Sequence, residues 1–298
     1  MRLIKETHIQ FTKYHNLFMT ASGIFLALSL ISIFLVRGLN YGLDFTGGTL
    51  LQVSFEKPIT TAAVRQALAT NNLENSNIQM TGVANEFIIR TPLHASSDST
   101  VVLMTKALES VPDNSFITQR AESVGPKIGK ELRATVFQAI FWAMVVILVY
   151  ISFRFQFKFA LGAVAALVHD VIFTLGIFSL FQLEISLSTI AAFLTIVGYS
   201  LNDTIVIFDR VRENMKSKRY NVIEQLFDVS INESLSRTVI TSATTLFVVL
   251  ILAFAHGEVK IFSIALIIGI VIGTYSSLCV ASPIVIMYQK KLDARKKK

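Results

Sequence analysis

Val197-Gly-Tyr-Ser-Leu-Asn-Asp-Thr-Ile-Val-Ile-Phe-Asp-Arg-Val-Arg-Glu-Asn214 places a carboxylate, Asp203, inside a segment that otherwise reads as lipid-spanning. A charge in hydrocarbon costs roughly 2.5–3.5 kcal/mol even on the lenient insertion scale, so a chain that keeps one turns it toward protein or water and gives it a partner. The other segments must supply that partner and a use for it.

With 53% hydrophobic and 16% charged residues, the 298-residue chain falls in the membrane class before any segment is inspected. Six runs are long enough to cross a bilayer core: residues 17–36, 134–153, 159–181, 186–208, 238–255 and 261–288. The first follows Arg2, Lys5 and Lys13 but lacks a clear small-x-small exit, so it reads as a retained anchor rather than a signal peptide. The net charge of +7 clusters beside apolar segments, with no aromatic and basic interleaving, so no nucleic-acid partner is expected. Cys279, the one cysteine, lies in an apolar run, and no metal-ligand spacing is present.

Orientation follows from the basic residues. Segments 1–16, 154–158, 209–237 and 289–298 carry three, two, six and six Lys or Arg, whereas the short loops 182–185 and 256–260 carry only Lys260. The positive-inside bias puts both termini in the cytoplasm, with 209–237 as a cytoplasmic loop and 289–298 as a basic tail that signals orientation and meets membrane lipid headgroups. Within that loop, 221–235 reads as a surface helix.

The insert 37–133 then faces outside. Thr49–Glu56 alternates like a strand, Thr60–Asn71 reads as a helix, and Asn77–Val83 pairs with Glu86–Thr91 across an Ala-Asn turn. Asp98–Val111 is a second helix and Ser115–Ser123 a last strand, giving the β-α-β-β-α-β order of a ferredoxin-like α+β unit. The expected fold is therefore a polytopic six-helix membrane protein with this extracytoplasmic domain between helices 1 and 2. No catalytic constellation lies in the insert, which suits a binding or lever domain better than an enzyme. Its entry, Tyr41-Gly-Leu-Asp-Phe-Thr-Gly-Gly-Thr49, and its exit, Ser123-Val-Gly-Pro-Lys-Ile-Gly-Lys, read as turn-forming joints that either let the domain swing or fix it rigidly.

On the fourth span Tyr199, Ser200, Asp203 and Ile207 share a face with Asn202 adjoining; on the fifth, Arg237, Thr241, Thr244 and Thr245 recur at helical spacing. Asp203 lies five residues, or ~7.5 Å, above the inner end of its span, and Arg237 opens the next span from the same side, so their heads can meet. Burial opposes the charged carboxylate and the guanidinium favours it. A motion that changes their separation would therefore switch its protonation; the alternative is a static ion pair that fixes register. His169 and Asp170, mid-way along the third span, are a second candidate, as relay or as structural bond; adjacent helix positions are not expected to face each other. Asp209 and Arg210 read as a solvated boundary cluster, and Gly269, Gly273 and Ser277 as a helix-contact face.

These residues resemble the SecF side of the SecD/SecF family of bacterial protein export, within the RND superfamily. The resemblance rests on Gly42-Leu-Asp44-Phe-Thr-Gly47-Gly48, on Val197–Asn214 with Gly198, Asp209 and Arg210, on Arg237 in Ser-Leu-Ser-Arg-Thr, and on Ile268-Gly-Ile-Val-Ile-Gly-Thr-Tyr-Ser-Ser277. It implies an inner-membrane subunit that pairs with SecD, acts beside SecYEG with YajC as accessory, and couples protons to late-stage movement of a preprotein. Asp203 and Arg237 match the family's proton-conducting positions, with protons the only coupling species and no cofactor. A small-molecule antiporter of the same superfamily would need a large apolar pocket in the insert, and a passive scaffold for SecD would need no titratable acid.

Overall fold

The computed structural model describes residues 7–81, 85–91, 97–217, 220 and 222–296. Helix α1, His15–Ile31, reverses the burial of a helix in water. Ser22 and Ser29 are its buried residues, while Leu17, Ile24, Phe25 and Leu28 are exposed. Polar side chains turned inward and apolar ones outward are what a lipid solvent demands, because hydrocarbon cannot satisfy a hydroxyl. A π-helical turn, Ser32–Val36, ends this span, with Ser32 Oγ 2.9 Å from Ser179 Oγ.

The chain then divides into two compact units, Tyr41–Gln138 and the remainder. The first begins with a single helical turn, Leu43–Thr46, followed by strand β1 (Gly48–Phe55), helix α2 (Thr61–Ala69), strands β2 (Asn77–Met80) and β3 (Glu86–Thr91), helix α3 (Ser97–Glu109), strand β4 (Phe116–Val124) and the start of helix α4 (Pro126–Arg154). The strands form one antiparallel sheet in the order β2-β3-β1-β4, with Leu51 opposite Ile89 and Ala121. Alternation along β1 sends Leu51, Val53 and Phe55 into a core shared with Val64 and Leu68 of α2, Phe87 and Ile89 of β3, and Met104, Ala107 and Leu108 of α3. The Thr60 hydroxyl caps α2 by accepting from the Ala63 amide at 3.2 Å. The end of the expected strand at 82–83 and Ala84 of the expected turn lie outside the described residues.

Entry and exit of this unit are fastened to each other. Arg133 Nη2 donates to the Phe45 carbonyl at 3.2 Å, its guanidinium lies 4.2 Å above the Tyr41 ring, and Gly129 packs on Phe45 so closely that a Cβ would stand 3.0 Å from the carbonyl oxygen. Gly47 and Gly48 have φ of +72° and +137°, and a Cβ on Gly48 would stand 2.7 Å from the Thr91 carbonyl oxygen. Both conditions require glycine.

In the second unit follow α5 (Phe157–Phe181), α6 (Leu187–Lys216), α7 (Ile223–Leu252), α8 (Glu258–Ser276), a π-helical turn at Ser277–Ala281, and α9 (Ser282–Lys296). Six helical segments among the described residues are long and apolar enough to cross a membrane, the last comprising α8, the π turn and α9. Helices α5, α6 and α8 hold the interior, and Phe159, Phe208 and Phe227 fill one end of it. By contrast α4 exposes Phe141, Trp142, Val146 and Phe153, and the later half of α7 exposes Phe247, Val248 and Ile251.

Several expected boundaries move. Segment 209–237 is not a loop bearing a separate surface helix: α6 runs to Lys216 and α7 begins at Ile223, burying Leu226, Phe227, Ile231 and Ser234 as the first half of one long helix. Hydropathy ends at the first charges, whereas a helix continues as long as its backbone bonds and one packed face persist. For the same reason α4 starts at Pro126 rather than 134, and helix continues through the basic tail to Lys296. Arg2, Lys5, Lys218, Arg219, Asn221, Lys297 and Lys298 lie outside the described residues.

Gly48→Ala should cost the α+β unit about 1–3 kcal/mol through the forced φ and the overlap with Thr91. Hydrogen exchange of the full chain should show faster exchange in β1 and β3, and unchanged protection there would contradict the assignment.

Candidate functional site

Asp203 lies on the buried face of α6 with Ser200, Thr204 and Ile207, and only 2% of it is exposed. Its hydrogen-bond donor is Ser242 of α7, whose Oγ is 3.3 Å from Oδ2. Among the described residues no hydrogen bond or ion pair joins Asp203 to Arg237, which is exposed; the guanidinium acts on the carboxylate only through space. The expected direct meeting of the two heads is therefore replaced by a hydroxyl contact. Thr241 bonds back to the Arg237 and Thr238 carbonyls, both at 3.0 Å, and Thr244 and Thr245 also bond their own helix. The residue facing the acid is one position along, about 100° around the helix. The stripe counted from Arg237 meets α6 at Thr245 but misses the partner of Asp203, and only the position of α6 identifies Ser242.

Ser242 Oγ is also 2.7 Å from Thr274 Oγ1 of α8, which donates to the Ile270 carbonyl at 2.8 Å. Each hydroxyl has one proton to give. With Asp203 protonated, the acid donates to Ser242, Ser242 to Thr274 and Thr274 to Ile270, and every acceptor is matched. With Asp203 ionised, Ser242 turns toward it and Thr274 must choose between Ser242 and its own backbone. One proton on Asp203 thus decides which way the Ser242 hydroxyl points. Tyr199 stands beside this group and donates to Thr245 Oγ1 at 3.2 Å, while Asn202 is exposed and turned away.

The second acid is more completely enclosed. Asp170 Oδ2 accepts from Ser200 Oγ of α6 at 2.6 Å and from Ser276 Oγ of α8 at 2.8 Å, and Oδ1 lies 3.0 Å from His169 Nδ1. The expectation that neighbouring helix positions do not meet fails here, because the imidazole folds alongside the carboxylate next to it. Three helices converge on Asp170, and the close approach of α6 and α8 depends on Gly269 and Gly273. A Cβ at Gly269 would overlap Ile196, and one at Gly273 would stand 2.9 Å from the Ser200 Cβ. Ser277, expected on the same contact face, is buried as the first residue of the π turn.

The remaining motif positions divide by role. Arg210 joins α6 to α7 through Glu233 at 2.7 Å and also pairs with Glu213 at 2.8 Å, while Asn214 donates to Glu233 and to Ser230. Asp209 meets Arg154 at 3.5 Å. These charges form an inter-helix network at the partly exposed end of the bundle as well as a boundary marker. Gly42 and Asp44 begin the turn clasped by Arg133. Among the described residues nothing lies within 4 Å of a Cβ at Gly198, so packing within them does not explain that glycine.

Comparison with known proteins gives a consistent result. Residues 103–291 match the family model of protein export membrane protein SecD/SecF, C-terminal, and residues 32–59 match the SecD/SecF GG motif. The protein translocase subunit SecF of Calditerrivibrio nitroreducens is 43% identical over 296 residues, covering 96% of each chain. That of Escherichia coli O157:H7 is 42% identical, covering 91% of this chain and 85% of its own length. The crystal structure of SecDF, a translocon-associated membrane protein from Thermus thermophilus, superposes with a TM-score of 0.85 at 35% identity over 96% of this chain. This chain spans 39% of that solved one.

Ser242→Ala removes the donor to Asp203 and should cost about 1–3 kcal/mol where the carboxylate is ionised. The carboxyl infrared band that disappears in Asp203→Asn should shift in Ser242→Ala. An unmoved band would show that Ser242 is not its partner.

Proposed function

We propose a function from one premise: this chain belongs to the SecD/SecF family of protein export membrane proteins. It works as a SecF-like translocase subunit in the bacterial inner membrane, paired with SecD beside SecYEG, with YajC as accessory. It uses the proton-motive force to promote the late stage of preprotein translocation. The observation that carries this reading is Asp203, an acid buried in a candidate span and held by an uncharged hydroxyl, with the Arg237 cation acting on it only through space. An acid so placed can gain and lose a proton without breaking an ion pair, and the Ser242 hydroxyl turns between Asp203 and Thr274 when it does.

Arg237 cannot give up its proton and supplies a fixed positive field. Each elementary charge crossing 100 mV releases ~2.3 kcal/mol, so a few protons can bias a conformational equilibrium usefully. The unit 41–138, which we read as a ferredoxin-like extracytoplasmic domain, is the element we assign to the preprotein. Its strand order and densely filled core support a binding or lever role rather than small-molecule efflux. The apolar side chains left exposed on α4 and α7 suit contact with lipid and with the membrane helices of SecD. Both termini are placed in the cytoplasm by the basic-residue count, and neither an enzymatic step nor a cofactor enters the scheme.

Asp203→Asn is the direct test, in inverted vesicles containing the SecD partner and SecYEG. Proton-driven completion of export should fall to the level seen without a proton gradient, while ATP-driven initiation persists. Full export and unchanged proton flux would sink the proposal.

A further inference from the structure

The His169–Asp170 cluster is built like a functional site, yet the scheme above makes no use of it. Both side chains are buried, at 3% and 1% exposure, among α5, α6 and α8. The imidazole stacks on Phe173 with ring centres 6.1 Å apart and tilts against Tyr275 at 6.2 Å. Its Nδ1 faces Asp170, but Nε2 is buried without a hydrogen-bond partner among the described residues. An orphaned buried ring nitrogen is uncommon and calls for a cause.

No assignment of protons within the pair satisfies Nε2. If Nδ1–H donates to an ionised Asp170, Nε2 is an unmatched lone pair and the pair carries one negative charge. If the imidazole is doubly protonated, or if Asp170 holds a proton and donates to Nδ1, Nε2–H is an unmatched donor and the pair is neutral. In each state the missing partner is at the same atom, and it must both give and accept a proton. Water has that chemistry. Adding one proton at Nε2 cancels the net charge, which is the favourable direction in an apolar interior.

We propose that His169 and Asp170 form a second proton-binding site in the membrane-spanning unit, separate from Asp203, whose proton arrives from a water molecule at Nε2 of His169. The water gives up H⁺ and leaves as hydroxide, or hydronium gives up H⁺ and leaves as water. The imidazole gains that proton on Nε2 and keeps Nδ1–H on Asp170, while Ser200 and Ser276 hold Oδ2 in place. Of the ionisable groups on packed helices, Tyr275 of α8 faces the ring, with its hydroxyl 2.9 Å from Ser22 Oγ. Asp203 lies three positions past Ser200 on α6 but bonds Ser242. Cys279 is buried in the π turn, α1 carries no acid or base from Leu17 to Ile31, and α9 has no ionisable group before Tyr288.

The test is solid-state NMR of the full chain with ¹⁵N-labelled histidine in liposomes of phosphatidylethanolamine and phosphatidylglycerol, between about pH 5 and about pH 8. The His169 signals are assigned by their loss in His169→Gln. Nε2 should change from unprotonated to protonated as the pH falls, this change should persist in Asp203→Asn, and it should vanish from the window in Asp170→Asn. A protonation state at Nε2 that is constant with pH in the wild type, a titration lost in Asp203→Asn, or one unaltered in Asp170→Asn would overturn the proposal. If Asp170→Asn does not fold, Ser276→Ala takes its place, since loss of that donor should displace the titration and an unmoved curve counts against the site. No export is measured, so failure here leaves the Asp203 reading standing, and failure of that reading leaves this one standing.

Discussion

Enclosing a carboxylate in a membrane-spanning bundle is the constraint around which the second unit is arranged. Two acids are enclosed, Asp170 and Asp203, and hydroxyl groups from neighbouring helices bond both. A hydroxyl can serve a carboxylate or a carboxylic acid, because it both gives and accepts a hydrogen bond; a guanidinium gives only. Hydroxyls are also short, so the helices carrying them must approach closely, and Gly269 and Gly273 of α8 leave room for Ile196 and Ser200 of α6. Small residues, hydroxyls and acids are thus three parts of one packing solution.

The same reasoning accounts for the inverted burial of α1. Ser22 reaches Tyr275 and Ser32 reaches Ser179, whereas the intervening apolar side chains face outward. A helix that gains little hydrophobic free energy from association, because lipid is as apolar as its own leucines, is held instead by close contact and a few polar links. Gly176 shows the contact term, since a Cβ there would overlap Ser29.

The element order of the α+β unit was legible because two-residue alternation and turn chemistry act over short distances. Leu51, Val53 and Phe55 alternate, and Thr60 announces the helix it caps. The spans were legible from hydropathy, but their ends were not, because charged residues in 209–237 continue helices that hydropathy had already closed. Asp203 stood out as a lone charge, whereas Ser242 did not, since one serine among many hydroxyls acquires meaning only when α6 fixes which side of α7 is inward. The His169–Asp170 contact escaped for a related reason: helical spacing describes Cα positions, and an imidazole long enough to fold back does not obey it. The π turn at Ser277–Ala281 has no counterpart in the hydrophobic pattern, which runs through it without change.

That turn bears on how the two acids relate. In the last turn of α8, Gly273 packs on Ser200, Thr274 contacts Ser242, and Ser276 donates to Asp170. Helix α6 makes the complementary set, with Ser200 serving Asp170 and Asp203 lying three positions later. The π turn begins at the next residue, Ser277, where the wider helical winding loosens the regular i to i−4 ladder and separates α8 from α9. Beyond it α9 packs on α5, where Lys158 Nζ donates to Gln289 Oε1 at 2.8 Å. The last turn of α8 thus reaches Asp170 directly through Ser276, and Asp203 only by way of Thr274 and Ser242 of α7.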